Sequence, residues 1–286
     1  MNERFYSEYT RALREGTAAL FAGAGLSVPA GYVDWKKLLR PLAEQLRLDV
    51  DQETDLPALA QFSVNEEGGR RTAVSQRILE DLTREAELTP SHRLLAGLPI
   101  RTVWTTNYDD LLEKSFTEAG KRPDVKRRET SLTLTRPDAD VTLYKMHGDI
   151  TEPEKAVLTQ DDYESYSDSR QLFTTTLQAE LATKTFLFLG FSFTDTNLGH
   201  ILGPGIREEF DIAVREGSRP IPVAATGHGA PVSGAVDLWN EVMGRLAAFY
   251  PEGGVESFFK VLGDPSRSND ELLQAIFGII DRVTRP

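Results

Sequence analysis

The sequence predicts an α/β protein built on a doubly wound parallel sheet. Three observations carry that expectation. Short apolar runs at 18–22, 101–106, 141–146 and 185–189 recur along the chain, with the length and composition of buried parallel strands. Segments of helical periodicity separate them, in the order strand, helix, strand, helix, strand, helix, strand. Each run ends in glycines or polar residues: Gly23, Gly25 and Ser27; Asn107 and Asp109; His147 and Gly148; Gly190 and Ser192. In such a sheet ligands bind beyond the C-terminal ends of the strands. One rim would therefore gather glycines, an amide, an imidazole and hydroxyls.

Residues 2–15 read as a helix with Phe5, Tyr9, Ala12 and Leu13 on one face. The run 18–22 is the first strand, and Gly23-Ala24-Gly25 turns the chain sharply. Glycines there allow positive φ and close approach of a ligand to the backbone. Such a junction can aim several backbone N–H groups at a phosphate. Asp34 is placed to cap a helix from Trp35 that carries Leu38, Leu39, Leu42 and Leu46 inward. Pro41 inside that pattern predicts a kink or a break.

Residues 50–96 read as helical throughout. One helix opens near Leu56, Gly68-Gly69 ends it, a second carries Val74, Ile78 and Leu82 as a stripe, and a third starts at Pro90. This helical insertion lies between the first and second strands, where it can roof the pocket or form an interface. The second strand ends in Asn107-Tyr108-Asp109. Asp109 either caps the helix that follows, with Leu111, Leu112 and Phe116, or serves the site.

Beyond it, 121–128 is locally basic (Lys121, Arg122, Lys126, Arg127, Arg128) and reads as a solvated loop or edge. The third strand, 141–146, delivers His147-Gly148-Asp149. A short strand is expected at 155–158, helices at 159–166 and 171–183. The most apolar segment, 185–189, is expected to be a central strand. A fifth strand is expected at 221–225, then helices near 236–246, 255–262 and 269–283.

With 286 residues and 40% hydrophobic residues, one domain over 1–286 can enclose a full core. The insertion at about 50–96 and the helices at about 236–283 are its additions, and either can mediate homo-oligomer contacts or dock a partner. No apolar run approaches the roughly 20 residues that span a bilayer, and the first residues lack a basic-then-apolar leader. Those features predict a cytoplasmic protein with no membrane partner. The absence of cysteine excludes a thiol nucleophile and Cys-ligated zinc. The four histidines form no His-x-x-x-His pair, so no metal is expected. A net charge of −12 disfavours direct nucleic-acid binding.

Four pieces, Gly23-Ala24-Gly25-Leu26-Ser27, Thr105-Thr106-Asn107-Tyr108-Asp109, Lys145-Met146-His147-Gly148 and Gly190-Phe191-Ser192-Phe193, resemble the sirtuin family in its bacterial, zinc-free, sirtuin-like branch. The resemblance implies a Rossmann-like NAD-binding domain with a helical insertion in place of the zinc module. It implies that Gly23, Ala24, Gly25 and Ser27 hold the pyrophosphate, with Thr106, Gly190 and Ser192 also on the NAD side and Ser192 by the adenosine half. It places Asn107 and Asp109 near the nicotinamide ribose and makes His147 the catalytic base. The sequence departs from protein-deacylating sirtuins in lacking four zinc-binding cysteines and in continuing Val28-Pro29-Ala30-Gly31 after the first motif. The zinc-free branch is similar to NAD-degrading effectors of antiphage defence that act in large assemblies, some with a HerA-type ATPase partner.

These residues suit glycosidic cleavage of NAD. Its nicotinamide leaves as a neutral ring, so no general acid is needed. Asn107 can orient a water or a ribose hydroxyl, His147 can accept a proton, and Asp109 can favour developing positive charge. The expected activity is an NAD glycohydrolase that releases nicotinamide and ADP-ribose. The alternatives are a zinc-free deacylase or ADP-ribosyltransferase, and a non-catalytic NAD or ADP-ribose sensor. Away from the site, His92 is expected to pack or cap, His200 to lie on a helix face, His228 to sit in a loop, and Tyr163 to be structural.

Overall fold

The computed structural model describes residue 9 and residues 11–190. The expectations for 1–8, for Ser192, His200 and His228, and for the strand and helices beyond 190 lie outside the described residues. Residues 9 and 11–15 are helical. The elements that follow are β1 (Ala18–Ala22), α1 (Trp35–Gln45), α2 (Leu56–Glu66), α3 (Thr72–Leu82), α4 (Pro90–Gly97), β2 (Thr102–Thr105), α5 (Leu111–Glu118), β3 (Pro123–Lys126) and α6 (Glu129–Leu132). Then come β4 (Val141–Lys145), α7 (Gln160–Glu164), α8 (Tyr166–Ser169), α9 (Gln171–Thr183) and β5 (Thr185–Leu189).

The five strands form one sheet in the order β3-β4-β2-β1-β5, and every pairing is parallel. Period-two alternation divides the side chains between two faces. Leu20, Ala22, Val103, Val141, Leu143 and Leu189 meet Tyr9, Ala12, Leu13, Leu95, Leu112 and Phe116 of the first helix, α4 and α5. Phe21, Trp104 and Met146 meet Tyr163, Tyr166, Phe173 and Leu177 of α7, α8 and α9. Helices thus cover both faces, as a doubly wound sheet requires, because strands buried on both sides leave no face for water.

A third core lies beside the strand ends. Leu38, Leu39 and Leu42 of α1, Leu59 of α2, and Val74 and Ile78 of α3 pack with Tyr108, Leu111, Ala156 and Leu158. The helical insertion therefore leans on the loops that follow β2 and β4. Asp34 caps α1 by accepting from the Lys37 N–H at 2.8 Å.

Two details differ from expectation. Pro41 neither ends nor divides α1, which runs through it to Gln45; the buried Leu38, Leu39 and Leu42 hold the helix across the missing N–H. Residues 155–158 are not a strand. Pro153–Lys155 is a 3-10 turn, and Val157 then reaches the β4 end through one backbone bond to the His147 carbonyl, at 2.8 Å, too few for a ladder. The apolar 185–189 run is β5, paired with β1; whether it is central turns on residues beyond those described, and among the described strands β1 is flanked by β2 and β5.

The basic segment 121–128 supplies the edge strand β3, and each of its cations has a partner. Arg122 faces Asp138 and Asp140, Lys126 pairs with Asp124, Arg127 with Asp149 and Arg128 with Glu152. The Lys121 ammonium donates to the Leu98 carbonyl.

Candidate functional site

Registers place Gly23, Asn107, His147 and Gly190 on one rim. Ala22 lies opposite both Thr105 and Leu189, and Thr105 lies opposite Lys145. One residue further on are Gly23 and Gly190; two further on are Asn107 and His147. Parallel neighbours run about 5 Å apart, so Asn107 and His147 leave adjacent strands at the same level.

The glycine end is a close crossing of two backbones. Gly23 donates to the Leu189 carbonyl at 2.8 Å and Gly25 to the Gly190 carbonyl at 3.0 Å. A Cβ on Gly25 would lie 2.9 Å from the Gly190 Cα, and one on Gly190 only 2.5 Å from the Leu26 nitrogen. Close approach is therefore the reason for glycine at 25. Positive φ is not: it occurs at Gly190 (φ +72) but at neither Gly23 nor Gly25.

The amides also differ from expectation. Those of Gly23, Gly25, Leu26 and Ser27 are taken by the carbonyls of Leu189, Gly190, Gly23 and Ala24. Ala24 supplies the remaining N–H of the turn, so several amides aimed outward at a phosphate are not what this turn holds.

The end of β2 is tied to the same turn. The Thr105 hydroxyl donates to the Ala22 carbonyl at 2.9 Å and accepts from the Asn107 N–H at 3.0 Å. The Asn107 side chain donates to the Gly23 carbonyl and to the Ser27 hydroxyl, each at 3.0 Å. Both amide donors are thereby spent and the orientation is fixed. Its Oδ1 is buried without a partner. Thr106 is half-buried beside it. Asp109 accepts from the Leu111 N–H at 3.1 Å, at the start of α5, whose N-cap position is held by Asp110.

His147 is 1% exposed, and both ring nitrogens are buried without a partner. Tyr163 and Tyr166 pack edge-on against its ring, with centroids 5.7 and 6.1 Å away, so Tyr163 belongs to the imidazole's wall. Burial, reinforced by the Arg170 guanidinium, pushes the His147 pKa down to about 3. The ring is neutral at physiological pH. Desolvation disfavours the charged form of the ring. His92 packs fully buried, its Nδ1 2.8 Å from the hydroxyl of the capping Thr89.

Several residues of this rim escape sequence reasoning. Lys145, on the apolar third strand, is fully buried. Its ammonium donates to the carbonyls of Tyr108 and Asp109 and to Glu113, and pairs with Asp149 at 2.6 Å. Arg127 reaches the same two carboxylates, 2.9 Å from Asp149 and 3.4 Å from Glu113. Arg71, at the start of the second insertion helix, grips Asp162 and the Ala156 carbonyl. The available signal was parity: Val141, Leu143 and Lys145 share the buried face of β4, where a lysine needs partners. Beside Gly148 a cavity of about 470 Å³ opens, with Arg128, Lys155 and Arg170 on its wall. Among the described residues no group of His, Asp or Glu could hold a metal ion.

A family model described as the SIR2-like domain matches residues 101–215. A second model, the Sir2- and TIR-associating SLOG family, matches residues 188–283. The chain is 50% identical over 213 residues to NAD(+) hydrolase ThsA of Enterococcus faecium, covering 74% of this chain and 44% of that protein. It is 49% identical over 200 residues to NAD(+) hydrolase ThsA of Bacillus cereus (strain MSX-D12), covering 70% and 42%. It is 28% identical over 206 residues to Defense-associated sirtuin 2 of Bacillus subtilis, covering 68% and 20%. The chain thus spans less than half the length of these curated relatives.

Proposed function

We propose that the chain is an NAD glycohydrolase that cleaves NAD to nicotinamide and ADP-ribose, and that it serves antiphage defence. The observation that carries this reading is a pair of buried, unpartnered acceptors on adjacent strand ends, Asn107 Oδ1 and the His147 ring. Buried polar atoms normally have partners, and a ribose hydroxyl or a water would supply them here. The NAD(+) hydrolase names of the relatives at about 50% identity support the same substrate.

The chemistry balances with these groups. The bond between ribose C1′ and the nicotinamide nitrogen breaks, and its electron pair stays with the ring, which leaves neutral. Water bonds to C1′, and its proton passes to the neutral His147. A ligand that brings polar atoms against the imidazole lifts its proton affinity out of the dry-pocket range. Asn107 Oδ1 orients the water or a ribose hydroxyl. Gly23, Ala24, Gly25 and Ser27, with Thr106, Gly190 and Ser192, form the dinucleotide side. There the close backbone crossing and the Ala24 N–H are the groups offered to a pyrophosphate, while Asp109 acts through the fold of the β2 loop.

The test is nicotinamide release from NAD by the purified chain. His147→Ala should lower kcat by about 10²–10⁴-fold and leave ADP-ribose affinity close to wild type. No release by wild type, with tight dinucleotide binding, would contradict the proposal in favour of a sensor. An NAD-dependent mass change of an acylated peptide would contradict it in favour of a deacylase.

Homo-oligomerisation is part of the proposal. Phe62 stands 56% exposed on α2, and light scattering on wild type and Phe62→Glu tests that face. A HerA-type ATPase partner follows from the resemblance alone, and a cytoplasmic location is part of the same proposal. No helix among the described residues is long and apolar enough to cross a membrane.

A further inference from the structure

We propose that Lys145 is a positioning residue of this site: its buried ammonium clamps the loop that carries Asn107 to the loop that carries His147. The inference rests on the proposed NAD-cleaving reading and concerns the same site. Lys145 lies two residues before His147 and opposite Thr105, which lies two before Asn107. Its side chain is buried on the face covered by α5. From there one ammonium bonds both carbonyls of the 107–109 turn, Tyr108 at 3.0 Å and Asp109 at 2.5 Å. It also pairs with Asp149, two residues beyond His147, at 2.6 Å. Glu113 of α5 takes a further bond at 3.0 Å.

The clamp is two-sided. Asp149 accepts from the Thr151 N–H at 2.8 Å, which fixes its turn. The Tyr108 carbonyl that receives Lys145 also receives the Ile150 N–H at 3.0 Å. Burial works against the Asp149 charge, yet Lys145 and the Thr151 bonds hold its carboxyl well below the usual range. Burial likewise disfavours the charged ammonium, but Glu113, Asp149 and Asp109 keep Lys145 protonated. With Arg127 the cluster has two cations and two anions. A charge cluster is weak evidence for stability, since apolar packing often serves as well. What apolar packing does not do is bond two loop carbonyls and a loop carboxylate at once.

Lys145 touches neither Gly23–Ser27 nor Gly190, so dinucleotide affinity should be separable from turnover. The closing experiment compares wild type, Lys145→Met and the double variant Lys145→Met/Glu113→Gln. Lys145→Met leaves two buried carboxylates with one cation and is expected to melt lower. The double variant leaves Arg127 facing Asp149 and is expected to regain most of the melting temperature. It is not expected to regain turnover: kcat for nicotinamide release should stay down about 10²-fold, the loss that a 1 Å misplacement can cause, with ADP-ribose Kd within about threefold.

Amide exchange supplies the readout independent of NAD cleavage. Ile150 should lose protection in the double variant, whereas Gly23 and Gly25 keep theirs. A double variant that recovers melting temperature and also recovers kcat overturns the proposal and leaves Lys145 structural. If wild type releases no nicotinamide, the NAD-cleaving reading fails by itself. The clamp then stands on loss of Ile150 protection and falls if that protection is unchanged.

Discussion

The two halves of the rim are built from different materials. At the β1 and β5 ends the site is made of backbone: Gly25 and Gly190 cross so closely that neither tolerates a Cβ at its present position. At the β2 and β4 ends it is made of side chains, with Asn107 and His147 held out by Thr105, Lys145, Asp149 and Glu113. A surface for a chain of phosphates and sugars can be made by bringing backbones together and clearing side chains away. A surface that handles a proton and a cationic centre needs particular atoms at particular heights, and buried charges set them. Asn107 joins the halves, since its amide group is anchored on the glycine turn while its oxygen is buried without a partner.

The strongest way to break this contrast is Gly190→Ala. It meets both a positive φ and a contact 2.5 Å from the Leu26 nitrogen. The expected cost is about 1–3 kcal/mol of stability, read as a lower melting temperature, with loss of ADP-ribose binding in calorimetry. Next comes Asn107→Asp, which replaces both amide donors with acceptors facing the Gly23 carbonyl. That substitution should cost about 1–3 kcal/mol for the buried group left unbonded and abolish both turnover and dinucleotide binding. If binding survives, the halves are more independent than the hydrogen bonds indicate.

A milder probe is the pH dependence of melting. His147 takes a proton near 6.5 when unfolded but only near 3 when folded. Between those values the unfolded chain binds more protons, so stability falls as pH falls through that window. It is independent of this group above pH 7. His147→Gln should flatten the dependence between pH 6.5 and 4 while the Asp149 contribution, lost only at lower pH, remains. The smallest effect is reserved for Arg128→Ala. Arg128 pairs with Glu152 near the surface, its own side chain exposed, and exposed ion pairs contribute little. Its melting temperature should match wild type, whereas Arg127→Met, which strips the buried end, should melt visibly lower.

The backbone half was largely legible in the sequence. A strand of small and apolar residues followed by Gly-Ala-Gly announces a tight, close-packed junction, and Gly190 after the most apolar run announces another. The register that brings them together follows from parallel pairing of like strands. What local reading got wrong there, the sign of φ at Gly25 and the fate of its amides, depends on Gly190, which is 165 positions away. The side-chain half was legible only as a list of polar residues at strand ends. His147 was visible, but its burial behind Tyr163 and Tyr166, which set its proton affinity, came from helices after the strand. Lys145 looked like an ordinary polar residue in a strand because its partners at 108, 113 and 149 sit on three other segments. Pro41 misled for a related reason: tertiary packing on Leu38, Leu39 and Leu42 outweighs one missing backbone bond.

The central claim is that a single dinucleotide lies across both halves. The most direct measurement is a crystal structure of the full chain as His147→Ala with NAD bound. The account predicts the pyrophosphate over Ala24 and Gly25, and the nicotinamide ribose within hydrogen-bond reach of Asn107 Oδ1 and beside the truncated residue 147. NAD seated elsewhere, in the cavity by Arg128 and Arg170 for example, with Asn107 Oδ1 still unbonded, would contradict it.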